Sequence, residues 1–449
     1  MARQLFGTDG IRGQAGEYPL DARTAHAVGA VLGEWAGQVQ PGAEVVIGMD
    51  TRESGPWLAA QVAGGLRRRG VPVRFAGLIT TPGVAWLTRS GPFVAGVMIS
   101  ASHNPFQDNG IKIFDHSGYK LPDELEHALE EKIFAQLDQD LEPQAAGLAV
   151  DEGLDRSYVD YLAGTAAGNL HGMRLVVDCA NGAAAHLAPE LFEKLGARVT
   201  PIACTPDGRN INEDCGALHV EALRLRVLAE RAHAGVAFDG DADRAILVSE
   251  RGAIIDGDCV LLIAGRALLG AGRLRGPNGC PTVVATVMSN LGLERAFTGL
   301  GVRLLRTAVG DKYVLEEMKR CGANLGGEQS GHVIFHDHAT TGDGMLTALR
   351  VLEIAQRAGA GIDDLVRDLE IYPQRLVNVR VRNRKPLGEL AQAGAEIRAA
   401  EQAFGAAGRV LVRFSGTEPL VRVMVEGPDL ERVESFAGRI AQALHAELG

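Results

Sequence analysis

Val45-Val46-Ile47-Gly48 is a short apolar run; a helix-like stretch follows, and Gly70-Val71-Pro72-Val73-Arg74-Phe75 then reads as a second strand. The order returns at Leu175-Val176-Val177-Asp178, with Pro189 to Leu195 as helix and Gly196-Ala197-Arg198-Val199 leading into the next strand. It returns again at Thr282-Val283-Val284-Ala285 and closes with Gly301-Val302-Arg303-Leu304-Leu305. Each unit is strand, polar loop, helix, glycine, strand. The glycine stops the helix because left-handed backbone costs it little. Short apolar strands alternating with helices predict βα crossovers and parallel or mixed sheets covered on both faces. Three copies predict three related α/β domains in tandem.

The tail departs from this unit. An alternating strand at Leu376-Val377-Asn378-Val379-Arg380-Val381 precedes a helical segment over 387–404, strands at 409–414 and 420–426, and a closing helix over 429–448. That order predicts a smaller α+β domain. The expected domains are 1–152, 153–250, 251–370 and 371–449, with a hinge near Tyr372-Pro373.

Size and charge bound the function. The chain has 449 residues, enough for three to four domains of about 100–150 residues. Its net charge of −11 argues against nucleic-acid binding, which needs a broad basic footprint. Cys179, Cys204, Cys215, Cys259, Cys280 and Cys321 show neither C-x-x-C nor zinc spacing, which fits a reducing compartment. The start carries no apolar signal core, and stretches such as Phe93 to Ala101 are too short to span a bilayer. The expectation is a cytoplasmic protein with no membrane partner.

Four polar clusters stand out. Ser100-Ala101-Ser102-His103-Asn104-Pro105, with Lys112 beyond, follows an apolar strand, so Ser102 and His103 are displayed where open α/β sheets bind ligands. Asp239-Gly240-Asp241-Ala242-Asp243-Arg244 lies between two apolar strands. Read as extended chain, it points the three carboxylates the same way. At about 4 Å each like-charge pair costs on the order of 4 kcal/mol at an effective dielectric of 20. A divalent cation relieves this, and all-oxygen ligands suit Mg²⁺. An EF-hand reading fails, because Arg244 stands where the sharp-turn glycine belongs. Gly327-Glu328-Gln329-Ser330-Gly331-His332 combines close backbone approach with groups that recognise hydroxyls or amines. Arg413-Phe414-Ser415-Gly416-Thr417-Glu418-Pro419, with Arg422, forms a phosphate-cradle pattern.

These clusters, in this order, resemble the α-D-phosphohexomutase superfamily over essentially the whole chain. The start Phe6-Gly7-Thr8-Asp9-Gly10-Ile11-Arg12-Gly13 and the sugar loop G-E-Q-S-G-H are most like its bacterial phosphoglucosamine mutase branch. The resemblance implies an α/β fold of four domains around a central cleft and an isomerase acting on a small hexosamine phosphate. It implies interconversion of glucosamine 6-phosphate and glucosamine 1-phosphate through a phosphoserine and a 1,6-bisphosphate, on the route to UDP-N-acetylglucosamine. Carried over by position, Ser102 bears the phosphoryl group and joins Asp239, Asp241 and Asp243 around one Mg²⁺. Arg12, His103, Lys112 and Arg244 surround the transferring group. Lys112, His103 and His332 are the candidate proton carriers. Glu328 and Ser330, with His332, hold the sugar; Arg413, Ser415, Gly416, Thr417 and Arg422 hold the remote phosphate. A hexose 1,6-bisphosphate or another phosphoryl donor would prime Ser102, and the family suggests a homodimer. The competing readings are a phosphoglucomutase or phosphomannomutase, a metal-dependent sugar phosphatase, and a non-catalytic sugar-phosphate-binding protein.

Overall fold

The computed structural model describes residues 5–7, 9–139, 142–415 and 419–449. The first sheet holds β1 (Ile11–Gln14), β2 (Glu44–Met49), β3 (Val73–Leu78), β4 (Phe93–Ile99) and β5 (Asp108–Asp115) in the order β1-β5-β4-β2-β3. The second holds β6 (Arg174–Asp178), β7 (Arg198–Ile202), β8 (Ala234–Phe238), β9 (Ala245–Ser249) and β10 (Ile254–Ile255) in the order β10-β9-β8-β6-β7. The third holds β11 (Thr282–Thr286), β12 (Arg303–Thr307), β13 (Leu325–Gly327) and β14 (Val333–Phe335) in the order β12-β11-β13-β14.

The pairing establishes the repeat. In each sheet one strand (β2, β6 or β11) is parallel to two neighbours, β3 and β4, β7 and β8, or β12 and β13. The last of these then turns back antiparallel into β5, β9 or β14. The sheets are mixed, as the alternation predicts. Gly70, Gly196 and Gly301, which follow the crossover helices, all have φ between +69° and +93°. Burial follows the apolar runs: every residue of β4, β8, β9 and β11 is buried.

Capping sets the helix starts. Asp21 accepts from Thr24 N ahead of Ala22–Val39, and Thr80 accepts from Gly83 N ahead of Thr81–Ser90, satisfying donors the helix leaves open. Helices Ala22–Val39 and Gly55–Arg68 cross closely, and a Cβ on Gly29 would stand 2.0 Å from the Val62 carbonyl oxygen. Val28, Val31, Leu58 and Val62 fill that crossing. Each such side chain contributes about 1.5–3 kcal/mol by leaving water.

The last sheet is antiparallel, with β15 (Gln374–Arg380), β16 (Arg409–Phe414) and β17 (Leu420–Glu426) in the order β15-β17-β16. Helices Ala391–Phe404 and Leu430–Leu448 accompany it, and Val421, Val423, Val433, Ile440 and Leu444 form its core. The chain divides into two compact units, Met1–Met288 with Val302–Arg367, and Ser289–Gly301 with Asp368–Gly449. The division falls ahead of Tyr372, which is buried in the second unit. There Asn290 donates to its carbonyl and accepts from its N–H. Among the described residues no helix is long and apolar enough to cross a membrane.

Candidate active site

Three of the four clusters occupy the same topological place. Residues 100–107 connect β4 to β5, 239–244 connect β8 to β9, and 328–332 connect β13 to β14. Backbone bonds hold the second of these loops to its neighbours: Thr81 N–H, at the start of helix Thr81–Ser90, donates to the Asp241 carbonyl at 3.0 Å, Gly344 N–H, at the start of helix Gly344–Ala358, to that of Ala242 at 3.0 Å, and Ala245 N–H, at the start of β9, to that of Gly331 at 3.1 Å.

Ser102 is buried, with φ +53°, and its Oγ donates to Asp239 Oδ2 at 2.5 Å. The loop beneath it is tied down. Ser102 N–H donates to Ser100 Oγ at 2.9 Å, and Ser100 Oγ donates to Asp50 Oδ2 at 2.6 Å. His103 Nδ1 lies 3.4 Å from Ser102 Oγ. Burial first, then the charges of Arg244 and Arg12, bring the His103 imidazole down to about 4, so it is neutral near pH 7.

Asp239, Asp241 and Asp243 are all buried, and one oxygen from each lies within 4.8 Å of the others. The route to this geometry differs from the extended reading. Residues 239–244 form a turn with Ala242 at φ +56°, so a tight backbone reversal, not strand alternation, brings the carboxylates together. Burial, then Asp243 and Asp241, push the Asp239 carboxyl well above the ordinary range; burial and Asp241 also raise Asp243. Burial would raise Asp241 as well, but Lys112 and Thr81 hold it below that range. Lys112 Nζ donates to Asp241 Oδ2 at 2.8 Å, and Thr81 Oγ1 donates to the same oxygen at 2.5 Å. Despite its burial, Lys112 is held above its usual value by Asp241, Asp9 and Asp243, and so stays an ammonium.

Asp241 Oδ1 and Asp243 Oδ1 are buried and accept no hydrogen bond among the described residues. Such oxygens are costly to bury unless something binds them. The donor set is oxygen only, so it fits a hard divalent cation.

Arg12 donates to the Ala101 carbonyl at 3.2 Å and pairs with Asp9. Arg244 N–H donates to Asp239 Oδ1 at 3.1 Å, and its Nε lies 3.8 Å from Asp243 Oδ1. His332 Nε2 accepts from Gly342 N–H at 3.2 Å. Glu328 is buried, its Oε1 accepting from Gly310 N–H at 3.1 Å, while Ser330 is exposed. The structure thus brings Ser102, His103, Lys112, Arg12, Arg244 and the triad together, with His332 4.0 Å from Asp243.

Arg413, Ser415 and Arg422 belong to the second unit, whereas Gly416 and Thr417 lie outside the described residues. Arg413 and Arg422 are directly opposed on β16 and β17. Burial and the Arg422 charge lower Arg413. Like charges set opposite one another destabilise a sheet, so this placement favours an anion.

Several charged residues have contacts to which the motifs assign no role. Asp9 pairs with Arg12, Lys112 and Lys120, and Lys120 reaches Asp311 at 2.6 Å. Wholly buried Arg52 binds Asp50 at 2.9 Å and three loop carbonyls. Arg52 could have been found, because Asp50-Thr51-Arg52 directly follows the apolar strand β2. Asp311 and Asn212 carry no comparable local signal.

Four family models match the chain: phosphoglucomutase/phosphomannomutase alpha/beta/alpha domain I at residues 3–140, domain II at 156–252, domain III at 256–372 and the C-terminal domain at 376–443. The chain belongs to the phosphoglucomutase/phosphomannomutase family. It is 63% identical over 449 residues to a phosphoglucosamine mutase of Solibacter usitatus (strain Ellin6076), covering 100% of both chains. It is 48% identical to that of Koribacter versatilis (strain Ellin345), covering 100% of this chain and 98% of the relative. A phosphoglucomutase/phosphomannomutase family protein from Burkholderia thailandensis shares the fold with a TM-score of 0.79 at 26% identity, covering 98% of this chain and 97% of that one. The fold also matches Aspergillus fumigatus N-acetylphosphoglucosamine mutase, solved with GlcNAc-6P and magnesium. That TM-score is 0.68 at 19% identity, covering 99% of this chain and 96% of the other.

Proposed function

We propose that this chain interconverts glucosamine 6-phosphate and glucosamine 1-phosphate, the activity for which its full-length relatives are named. Ser102 carries the transferred phosphoryl group. The observation that carries this reading is the 2.5 Å contact of Ser102 Oγ with Asp239, inside a buried triad in which two carboxylate oxygens have no hydrogen-bond partner among the described residues. Asp239, Asp241 and Asp243 hold Mg²⁺, with phosphorylated Ser102 as a further ligand; when bound, the ion neutralises the charge of the phosphoryl group.

The remaining roles belong to the chain itself. Phosphoserine 102 donates to the free hydroxyl of the monophosphate, giving a 1,6-bisphosphate, and takes back the other phosphoryl group after the intermediate turns over. A hexose 1,6-bisphosphate primes the enzyme. Lys112, Arg12 and Arg244 supply fixed positive charge around the transferred group. A proton must leave the accepting hydroxyl. Neutral His103 can receive one, whereas Lys112, held as an ammonium, can only give one up until its carboxylate partners are otherwise engaged. Glu328, Ser330 and His332 read the sugar. Arg413, Ser415, Gly416, Thr417 and Arg422 hold the phosphate that is not reacting. The four domains are 1–152, 153–250, 251–370 and 371–449.

The test is turnover of glucosamine, glucose and mannose 6-phosphates by one preparation primed with glucose 1,6-bisphosphate. Glucosamine 6-phosphate is expected to give the highest kcat/KM. A clear preference for a neutral sugar defeats the assignment, and net release of inorganic phosphate would make the protein a phosphatase. Arg422→Ala is expected to raise KM about 10- to 100-fold with kcat nearly unchanged, because one charge-assisted hydrogen bond of about 1.5–3 kcal/mol is lost. Steady-state kinetics on the same substrate checks this.

A further inference from the structure

We propose that Asn212 and Arg52 are positioning residues for phosphoryl transfer, clasping the backbone of the Ser102 loop so that its hydroxyl stays aimed at the triad. The proposal rests on Ser102 being the phosphoryl carrier. The two side chains come from different sheets. Arg52 follows β2 of the first, and Asn212 lies in the loop that follows β7 of the second, ahead of helix Glu221–Glu230. Both reach the same two carbonyls. Arg52 donates to those of Ser102 and Asn104, each at 2.8 Å. Asn212 Nδ2 donates to those of Ser102 at 3.0 Å and Asn104 at 3.1 Å.

One donor would satisfy each buried carbonyl. Two donors from separate sheets do more, because they fix the first sheet's loop against the second, which also carries the acceptor Asp239. The adjoining backbone is built around this contact. Thr51 Oγ1 donates to the Asn181 carbonyl at 2.6 Å, and Glu53 N–H to that of Gly208 at 2.9 Å, so both neighbours of Arg52 are pinned to the second sheet's loops. Asn212 N–H donates to the Ala180 carbonyl at 2.9 Å, holding its own loop. Gly240 leaves the necessary space: a Cβ there would stand 2.5 Å from the Ser102 carbonyl oxygen and 2.9 Å from Asn212 Nδ2.

Ser102 and Asn212 are both non-glycine residues with positive φ, +53° and +59°. Such conformations persist where the surroundings over-determine them, and they cluster where orientation matters. The clasp is therefore a device for aiming a nucleophile whose own backbone preference would point it elsewhere.

Asn212→Gly tests this cleanly, because glycine accepts the positive φ and only the amide is lost. In the isomerisation assay with glucosamine 6-phosphate, kcat is expected to fall about 10- to 100-fold, the effect of roughly 1 Å of misalignment. KM is expected to stay within about twofold, and the thermal midpoint within about 2 °C. Asn212→Asp, equal in size but unable to donate when ionised, is expected to lose at least as much kcat. Arg52→Lys keeps the charge beside Asp50 but cannot span the carbonyls, and it too should lose kcat selectively. Wild-type kcat in either Asn212 variant overturns the clasp, as does a loss that follows KM or the thermal midpoint. An unmutated protein that fails to isomerise the substrate under the same conditions defeats the underlying mutase reading instead.

Discussion

Ser102→Ala is expected to abolish isomerisation, by on the order of 10⁴-fold or more, in a protein that folds as the parent does. The size of the loss follows from the chemistry. If the phosphoryl group passes through Ser102 Oγ in both half-reactions, no partial route survives its removal. The hydroxyl is aligned on a buried carboxylate at 2.5 Å, and the site supplies no second hydroxyl in that contact. The fold is insulated from the change. Ser102 N–H still reaches Ser100 Oγ, and its carbonyl is still held by Arg52 and Asn212. Alanine pays about 1–2 kcal/mol for left-handed backbone, but serine bears the same cost. This chain also tolerates alanine there at Ala180, Ala203 and Ala242. Intact mass after incubation with glucose 1,6-bisphosphate should show a phosphoprotein for the parent and none for the variant. Retained turnover, or a phosphoryl group stably borne by another residue, would remove Ser102 from its role.

Much of this site is legible in the sequence because of how the sheets repeat. Each catalytic cluster lies where the third strand of its unit turns back antiparallel into the fourth, bracketed by strands such as the apolar runs 234–238 and 245–248. A polar loop so bracketed is conspicuous in one dimension. What the sequence hides is assembled from residues distant along the chain. Asn212 lies 110 residues from the carbonyl it holds, and Lys120 lies 191 from Asp311. No periodicity or local composition announces such pairs, since each residue taken alone reads as a solvated loop or helix-end side chain. The carboxylate triad falls between these cases. Its three aspartates are visible as a string, but their convergence depends on a turn with Ala242 at positive φ, which an alanine does not advertise. The segment 289–301 shows the limit for domain organisation. It belongs to the third repeat by sequence order, yet it groups with the C-terminal unit, because contacts such as Asn290 with Tyr372 come from the far end of the chain.

Removing divalent metal is expected to stop turnover entirely, and restoring Mg²⁺ to recover it. The argument is a charge balance. The triad contributes three carboxylates, and phosphorylation of Ser102 adds about two more negative charges. Lys112 and Arg244 reach the triad; Arg12 and Arg52 reach the adjoining loop backbone but are themselves paired with Asp9 and Asp50. The site is left with an excess of negative charge that a divalent ion would offset, and Asp241 Oδ1 and Asp243 Oδ1 remain buried without hydrogen-bond partners among the described residues. An ion bound by the folded protein alone also stabilises it, by about 2.7 kcal/mol at one hundred times its dissociation constant. The unit that carries the triad, Met1–Met288 with Val302–Arg367, has an unfolding entropy of about 2.1 cal/mol/K per residue, so this corresponds to a rise of about 3–4 °C in the thermal midpoint. Asp243→Asn should weaken both responses, since it replaces a charged ligand by a neutral amide without creating a cavity. The measurements are activity after chelation and Mg²⁺ titration, and thermal unfolding of parent and variant with and without the ion. Full activity in the absence of every divalent cation would refute the metal site, and so would a thermal shift that Asp243→Asn leaves untouched. Without the ion, the phosphoserine would face three carboxylates with its charge only partly compensated by Lys112 and Arg244, which disfavours the phosphoenzyme as the resting form.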